Sequence, residues 1–121
     1  MKSAPLNPAP GVFTAWRGHW SSQLAGSDYY AFRTRAGLEG LARVAGGALE
    51  VLAVGTRTPG RGRFRAFIAA AKAQFATITI WEVWAPELVP VLARYGFSPC
   101  TGASLTLEGR PAAIRGFRWQ R

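Results

Sequence analysis

The sequence has one cysteine and one histidine, and only six acidic residues in 121. With Cys100 alone, no internal disulfide framework exists, and the thiol suits a reducing compartment. With His19 alone, no histidine-based metal cluster exists, so no metal cofactor is expected. No apolar run approaches the roughly 18 residues that a membrane-spanning helix requires. The opening "MKSAPLNPAPGVF" lacks an apolar segment of secretory type, so a secretory signal is not expected. These absences point to a soluble protein, cytoplasmic or packaged inside a particle, with no membrane partner.

What is present is arginine. Fifteen lysines and arginines against six acids give a net charge of +9, and thirteen of the fifteen are arginine. Its planar fork holds phosphates and carboxylates bidentately, so the balance favours nucleic acid, a phosphorylated cofactor or an acidic protein surface. The arginines are scattered rather than grouped, which also fits a solvated surface. The composition, 49% hydrophobic and 17% charged, is that of a globular chain. Its length suits one domain. We expect a proline-rich extended arm over residues 1–11 and a single domain over 12–121.

Residues 12–27 show no single period. Trp16 and Trp20 stand four apart and would share a helical face, but at most a strand or one short helix fits there. From Tyr29 the pattern sharpens. "YYAFRTR", "LEGLARVA" and "ALEVLAV" read as three strands, the last two joined by a Gly46-Gly47 hairpin turn. Phe64, Phe67, Ile68, Ala71 and Phe75 then fall on one helical face. "TITIWEVW" reads as a strand buried on both sides. Pro86 suits a helix N-terminus, with Leu88, Val91, Leu92 and Tyr95 as the buried stripe. Pro90 should shorten or bend that helix. Two strands, "ASLTL" and "AAIRGFRW", close the chain. The expected order is β-β-β-α-β-α-β-β, an α+β fold with a mixed, mostly antiparallel sheet.

Between the third strand and the first helix stands Arg57-Thr58-Pro59-Gly60-Arg61-Gly62. Glycines there let a ligand approach the backbone, and amides at a helix N-terminus bind anions. The segment matches the pattern [Q/R]-x-x-G-x-[G/A], the pyrophosphate loop of the GNAT superfamily of acyl-CoA-dependent N-acyltransferases. Gly96-Phe97 matches that family's "GF" pair after the second helix. Over about residues 29–119 the chain resembles this family, including the short, truncated GNAT-like proteins found among tailed-phage virion proteins.

The resemblance implies a GNAT-like sheet with a truncated N-terminal region, open between its fourth and fifth strands. It further implies acetyl-CoA as cofactor, held by Arg57, Gly60, Arg61, Gly62 and Arg63, and an amine as acceptor. The oxyanion donor would be a backbone amide of residues 77–84. The family's general-acid tyrosine and second-helix asparagine fall at Leu92 and Ala85, leaving Tyr95, three residues on, as the nearest phenol. Glu50 and then Glu82 are the candidate bases. A buried, unpaired carboxylate has a raised pKa that suits the role, and a salt bridge to arginine is the other reading of both. Two functions follow: an N-acetyltransferase, or a catalytically silent structural or interaction protein, such as a virion component, meeting DNA or protein partners through its arginines.

Overall fold

The computed structural model describes residues 6–22, 27–56, 62–81, 88–105 and 111–121. Seven strands and two helices follow in the order β1 (Phe13–Ser22), β2 (Ser27–Thr34), β3 (Leu38–Ala45), β4 (Ala48–Thr56), α1 (Arg63–Gln74), β5 (Thr77–Trp81), α2 (Leu88–Arg94), β6 (Ser98–Leu105) and β7 (Pro111–Gln120). The strands form one mixed sheet in the order β1-β2-β3-β4-β5-β7-β6. Only β4 and β5 pair in parallel among the described strands, and α1 makes the crossover between them.

The expected GNAT-like order β-β-β-α-β-α-β-β is overturned. The fold is strand-rich, and four strands, not three, precede the first helix. The extra strand is β1, in the segment whose tryptophans suggested a helical face. Its pairing with β2 shifts register between Phe13 and Ala15 and again between Arg17 and His19. Each bulge adds a residue and flips the side-chain parity beyond it. Phe13 and Trp16, three apart, are therefore both buried, and no alternation of two survives in the sequence.

One face of the sheet carries the core. Phe13 packs on Trp16 and Phe32 at ring-centroid distances of 4.8 and 5.1 Å, and Phe32 stacks on Phe67 of α1 at 5.7 Å. Phe67, Ile68 and Ala71 form the buried stripe of α1. The other helix joins the same face. Arg65 Nε donates to the Tyr95 hydroxyl at 2.8 Å. The Lys72 ammonium donates to the Tyr95 carbonyl and lies 5.0 Å from the Trp119 ring centroid. Pro90 falls in the first turn of α2, where its missing N–H costs no helical hydrogen bond, so the helix tolerates it.

On the opposite face no helix packs among the described residues. There the Trp81 indole lies across β7 and β6, over Gly116 and Gly102. A Cβ on Gly102 would meet the ring at 2.7 Å. At Gly116 it would also lie 2.6 Å from the backbone carbonyl oxygen of Ile80, which has no freedom to move aside. Gly116→Ala is accordingly expected to lose about 1–3 kcal/mol through overpacking. Urea denaturation checks this, and an unchanged midpoint would contradict the seat drawn for Trp81.

Candidate functional site

The parallel ladder of β4 and β5 runs from Ala48↔Thr77 to Val51↔Ile80 and ends there among the described residues. On its other edge β4 stays paired with β3 as far as Thr56↔Leu38. Between these two stretches Leu52 is an extra residue, because Val51 faces Ala42 while Ala53 faces Leu41. Such a bulge bends its strand and increases the local twist. It stands one residue past the last β4–β5 pair. Among the described residues β4 thus has no β5 partner beyond Val51, at the carboxyl ends of the parallel strands, where open sheets place ligands.

Gly62, at the end of the glycine pattern, immediately precedes α1 and is exposed. Its φ of 66° is left-handed, which a side chain rarely adopts. No side chain caps the helix there, and its first turn carries no acid. Among the described residues the first-turn amides and the positive end of the helix dipole thus have no side-chain acceptor. Arg63 is turned elsewhere: its Nη1 donates to the Ala36 carbonyl and ties α1 to the β2–β3 turn. Arg57, Gly60, Arg61 and Glu82 lie outside the described residues, as does Ala85.

Of the other candidates, Tyr95 ends up just beyond α2 with its hydroxyl engaged by Arg65. Leu92, where the resemblance placed the general acid, is wholly buried in the core. Glu50 lies on the face away from the helices and forms an ion pair with Arg43, Nε to Oε2 2.7 Å. The salt bridge to arginine is therefore present at Glu50, made through Oε2.

Glu50 belongs to a cross-strand row that the sequence did not reveal. Arg43↔Glu50, Glu50↔Thr79, Thr79↔Arg118 and Arg118↔Ser98 are successive partners across β3, β4, β5, β7 and β6. Partners directly opposite share a face. Arg118 Nε donates to Thr79 Oγ1 at 3.0 Å, and its guanidinium carbon lies 6.0 Å from the Trp81 ring centroid. Tyr29 joins this face from β2, two residues from Ala31, which faces Leu41. Only the period of two on β4 was visible beforehand, because the row exists through register between strands far apart in sequence.

Burial, and then the Glu50 charge, push the Tyr29 phenol above its ordinary value of 10.0, with Arg43 opposing. The folded protein then holds this proton at pH values where the unfolded chain releases it. The stability so contributed is complete below about pH 10 and is lost as pH rises through the higher folded value. Tyr29→Phe is expected to flatten that alkaline fall. Thermal melts of both proteins between neutral pH and pH 11 check it, and parallel curves would contradict it. Burial likewise raises the Cys100 thiol, with Arg118 opposing.

No group of three or more metal-ligating side chains gathers among the described residues. No helix described is long and apolar enough to cross a membrane. No family model, curated protein or solved structure matches the chain.

Proposed function

We propose that this chain binds an acyl-CoA, acetyl-CoA in the first instance, in the opening beside β4, and that it is an N-acetyltransferase passing the acyl group to an amine. The observation that carries the reading is a succession along the chain. The Leu52 bulge, the end of the β4–β5 ladder at Val51↔Ile80, and the uncapped start of α1 at Gly62 succeed one another along a single strand-to-helix connection. That connection holds the pyrophosphate-loop pattern from Arg57 to Gly62. The reading rests on this loop and this opening, not on the order of elements.

In this reading the amides that begin α1 hold the pyrophosphate, and the edge of β4 beyond Val51, which has no β5 partner among the described residues, accepts the extended pantetheine arm. Glu50 sits on the open face beside the opening and takes the proton of the acceptor amine. Its second carboxylate oxygen is available for that role while Oε2 stays with Arg43. Calorimetric titration with acetyl-CoA, beside desulfo-CoA and ATP, is the direct test. One saturable site supports the reading, and no binding at millimolar ligand by the folded protein ends it. In the binding protein, Glu50→Gln is expected to lower kcat by about a hundredfold while leaving acetyl-CoA affinity unchanged.

Three observations favour a silent variant of the same site. Glu50 is ion-paired, the Tyr95 hydroxyl is occupied by Arg65, and Leu92 offers no proton where the family has its acid. Acetyl-CoA binding without turnover of any amine would select this second reading. The chain would then be a structural or interaction protein, such as a phage virion component, with arginines that meet DNA or protein partners. Outside that setting its place is the cytoplasm.

A further inference from the structure

An open sheet has two edges, and here they are β1 and β6. The outer backbone of an edge strand offers N–H and C=O groups that another strand can pair, and proteins blunt such rows with charge, proline or bulges. β1 is blunted. Its ladder to β2 shifts twice, leaving Thr14 and Gly18 opposite no residue. At the first shift the Thr14 hydroxyl donates to the Arg33 carbonyl at 3.2 Å. Arg17, exposed between the two shifts, adds a charge to the strand.

β6 has almost none of these devices. Its sequence, SPCTGASL, holds no charged side chain. Its pairing with β7 runs without a shift from Ser98↔Arg118 to Leu105↔Pro111, so it lacks the bend and added twist of a bulge. The Trp81 indole, reaching across β7 to Gly102, braces the strand from the open face. Pro99 offers no N–H, but it stands at the second position and so confines further pairing to residues 100–105. Among the described residues no strand pairs the other edge of β6.

Charge and symmetry select what covers this edge. A partner drawn to the arginines of a +9 chain finds none on β6. An uncharged strand suits another uncharged strand, and a second copy supplies one. Placed antiparallel about a twofold axis, two β6 strands exchange backbone hydrogen bonds and set no like charges opposite one another. The β7 strands, with Arg115 and Arg118, then stand three strand spacings apart, about 14 Å. That exceeds the Debye length of about 8 Å at physiological salt, so their repulsion is largely screened.

We propose that the chain forms a dimer through β6, the two sheets joining antiparallel into one continuous sheet. The blunted β1 at each far end keeps a third copy from adding, so the assembly closes at two. The pairing needs no acyl-CoA site, because β7 separates β6 from the opening beside β4.

Sedimentation equilibrium of the folded protein, at low and at high salt, is the test. So short a pairing makes a weak interface, and the mass is expected to rise with concentration from 13.1 kDa to twice that, with a Kd on the order of 100 µM. High salt is expected to tighten the dimer, since two chains of net charge +9 repel. Thr101→Lys, at an exposed position of β6, is expected to weaken it by about tenfold or more, and Thr14→Lys on β1 to leave it unchanged. Hydrogen exchange of the amides in residues 100–105 should slow as concentration rises, while exchange in β1 should not. A mass that stays at 13.1 kDa up to about 1 mM would overturn the proposal. So would species larger than two copies, a Thr101→Lys protein that dimerises like its parent, or protection that falls on β1 instead.

Discussion

Phe67→Ala is expected to destabilise the protein by about 3–5 kcal/mol, the range for truncating a buried phenylalanine. Phe67 is 2% exposed and stacks on Phe32 with an interplanar angle of 14°. It lies at the junction of two aromatic contacts, since Phe64 also meets it at 6.3 Å. Truncation removes apolar burial, leaves a cavity between α1 and β2, and ends both ring contacts. A domain of this size has a total stability on the order of 5–15 kcal/mol, so the loss is a large fraction of the whole. Phe64→Ala is the internal comparison: its ring is only half-buried and its loss should be visibly smaller. Guanidinium denaturation of the three proteins decides the matter. A loss under 1 kcal/mol at Phe67 would mean that α1 does not rest on β2 as described.

Gly62→Trp is expected to lower acetyl-CoA affinity on the order of a hundredfold, about 2.7 kcal/mol. A Cβ at Gly62 meets nothing within 4 Å among the described residues, and the indole is expected to occupy the space in front of the α1 amides. The backbone cost is separate. At a φ of 66° any L side chain is disfavoured by about 1–2 kcal/mol. Gly46→Trp controls for it, because Gly46 has a φ of 57°, equally open surroundings, and a place at the opposite end of β4. Both variants should lose similar stability, while only the Gly62 variant loses the ligand. Equal affinity in the two would show that the start of α1 is not where the pyrophosphate sits.

Several elements could be read from the chain because their determinants are local. The Gly46–Gly47 turn needed two residues of positive φ, and both have it. The spacing of Phe67, Ile68 and Ala71 marked the buried side of α1. The hydrophobic stripe through Leu92 located α2, and Gly96 at a φ of 87° ends it. The fold class failed at β1, where bulges at two points erase the alternation that identifies a strand. Pairing with β2 fixed that segment as strand, and pairing is invisible to a local window. The last strands show the same limit, since β6 begins at Ser98, well before the alternating "ASLTL", and carries Pro99 and Gly102. Its position follows from β7, which it pairs along its whole length.

For the candidate site the division is sharper. By itself the sequence determined the charge, the single thiol, the glycine pattern before α1 and the parity of Glu50 on its strand. Each of these depends on residues adjacent in the chain or on a simple sum. Only the tertiary structure decided that Glu50 is paired with Arg43, that Arg63 points back to the β2–β3 turn, and that Tyr29, Thr79 and Arg118 share a face with Glu50. Thr79 and Arg118 are separated by 39 positions and brought together by strand register. Register is set by which faces must be buried and by where the bulges fall, and both are properties of the assembled sheet.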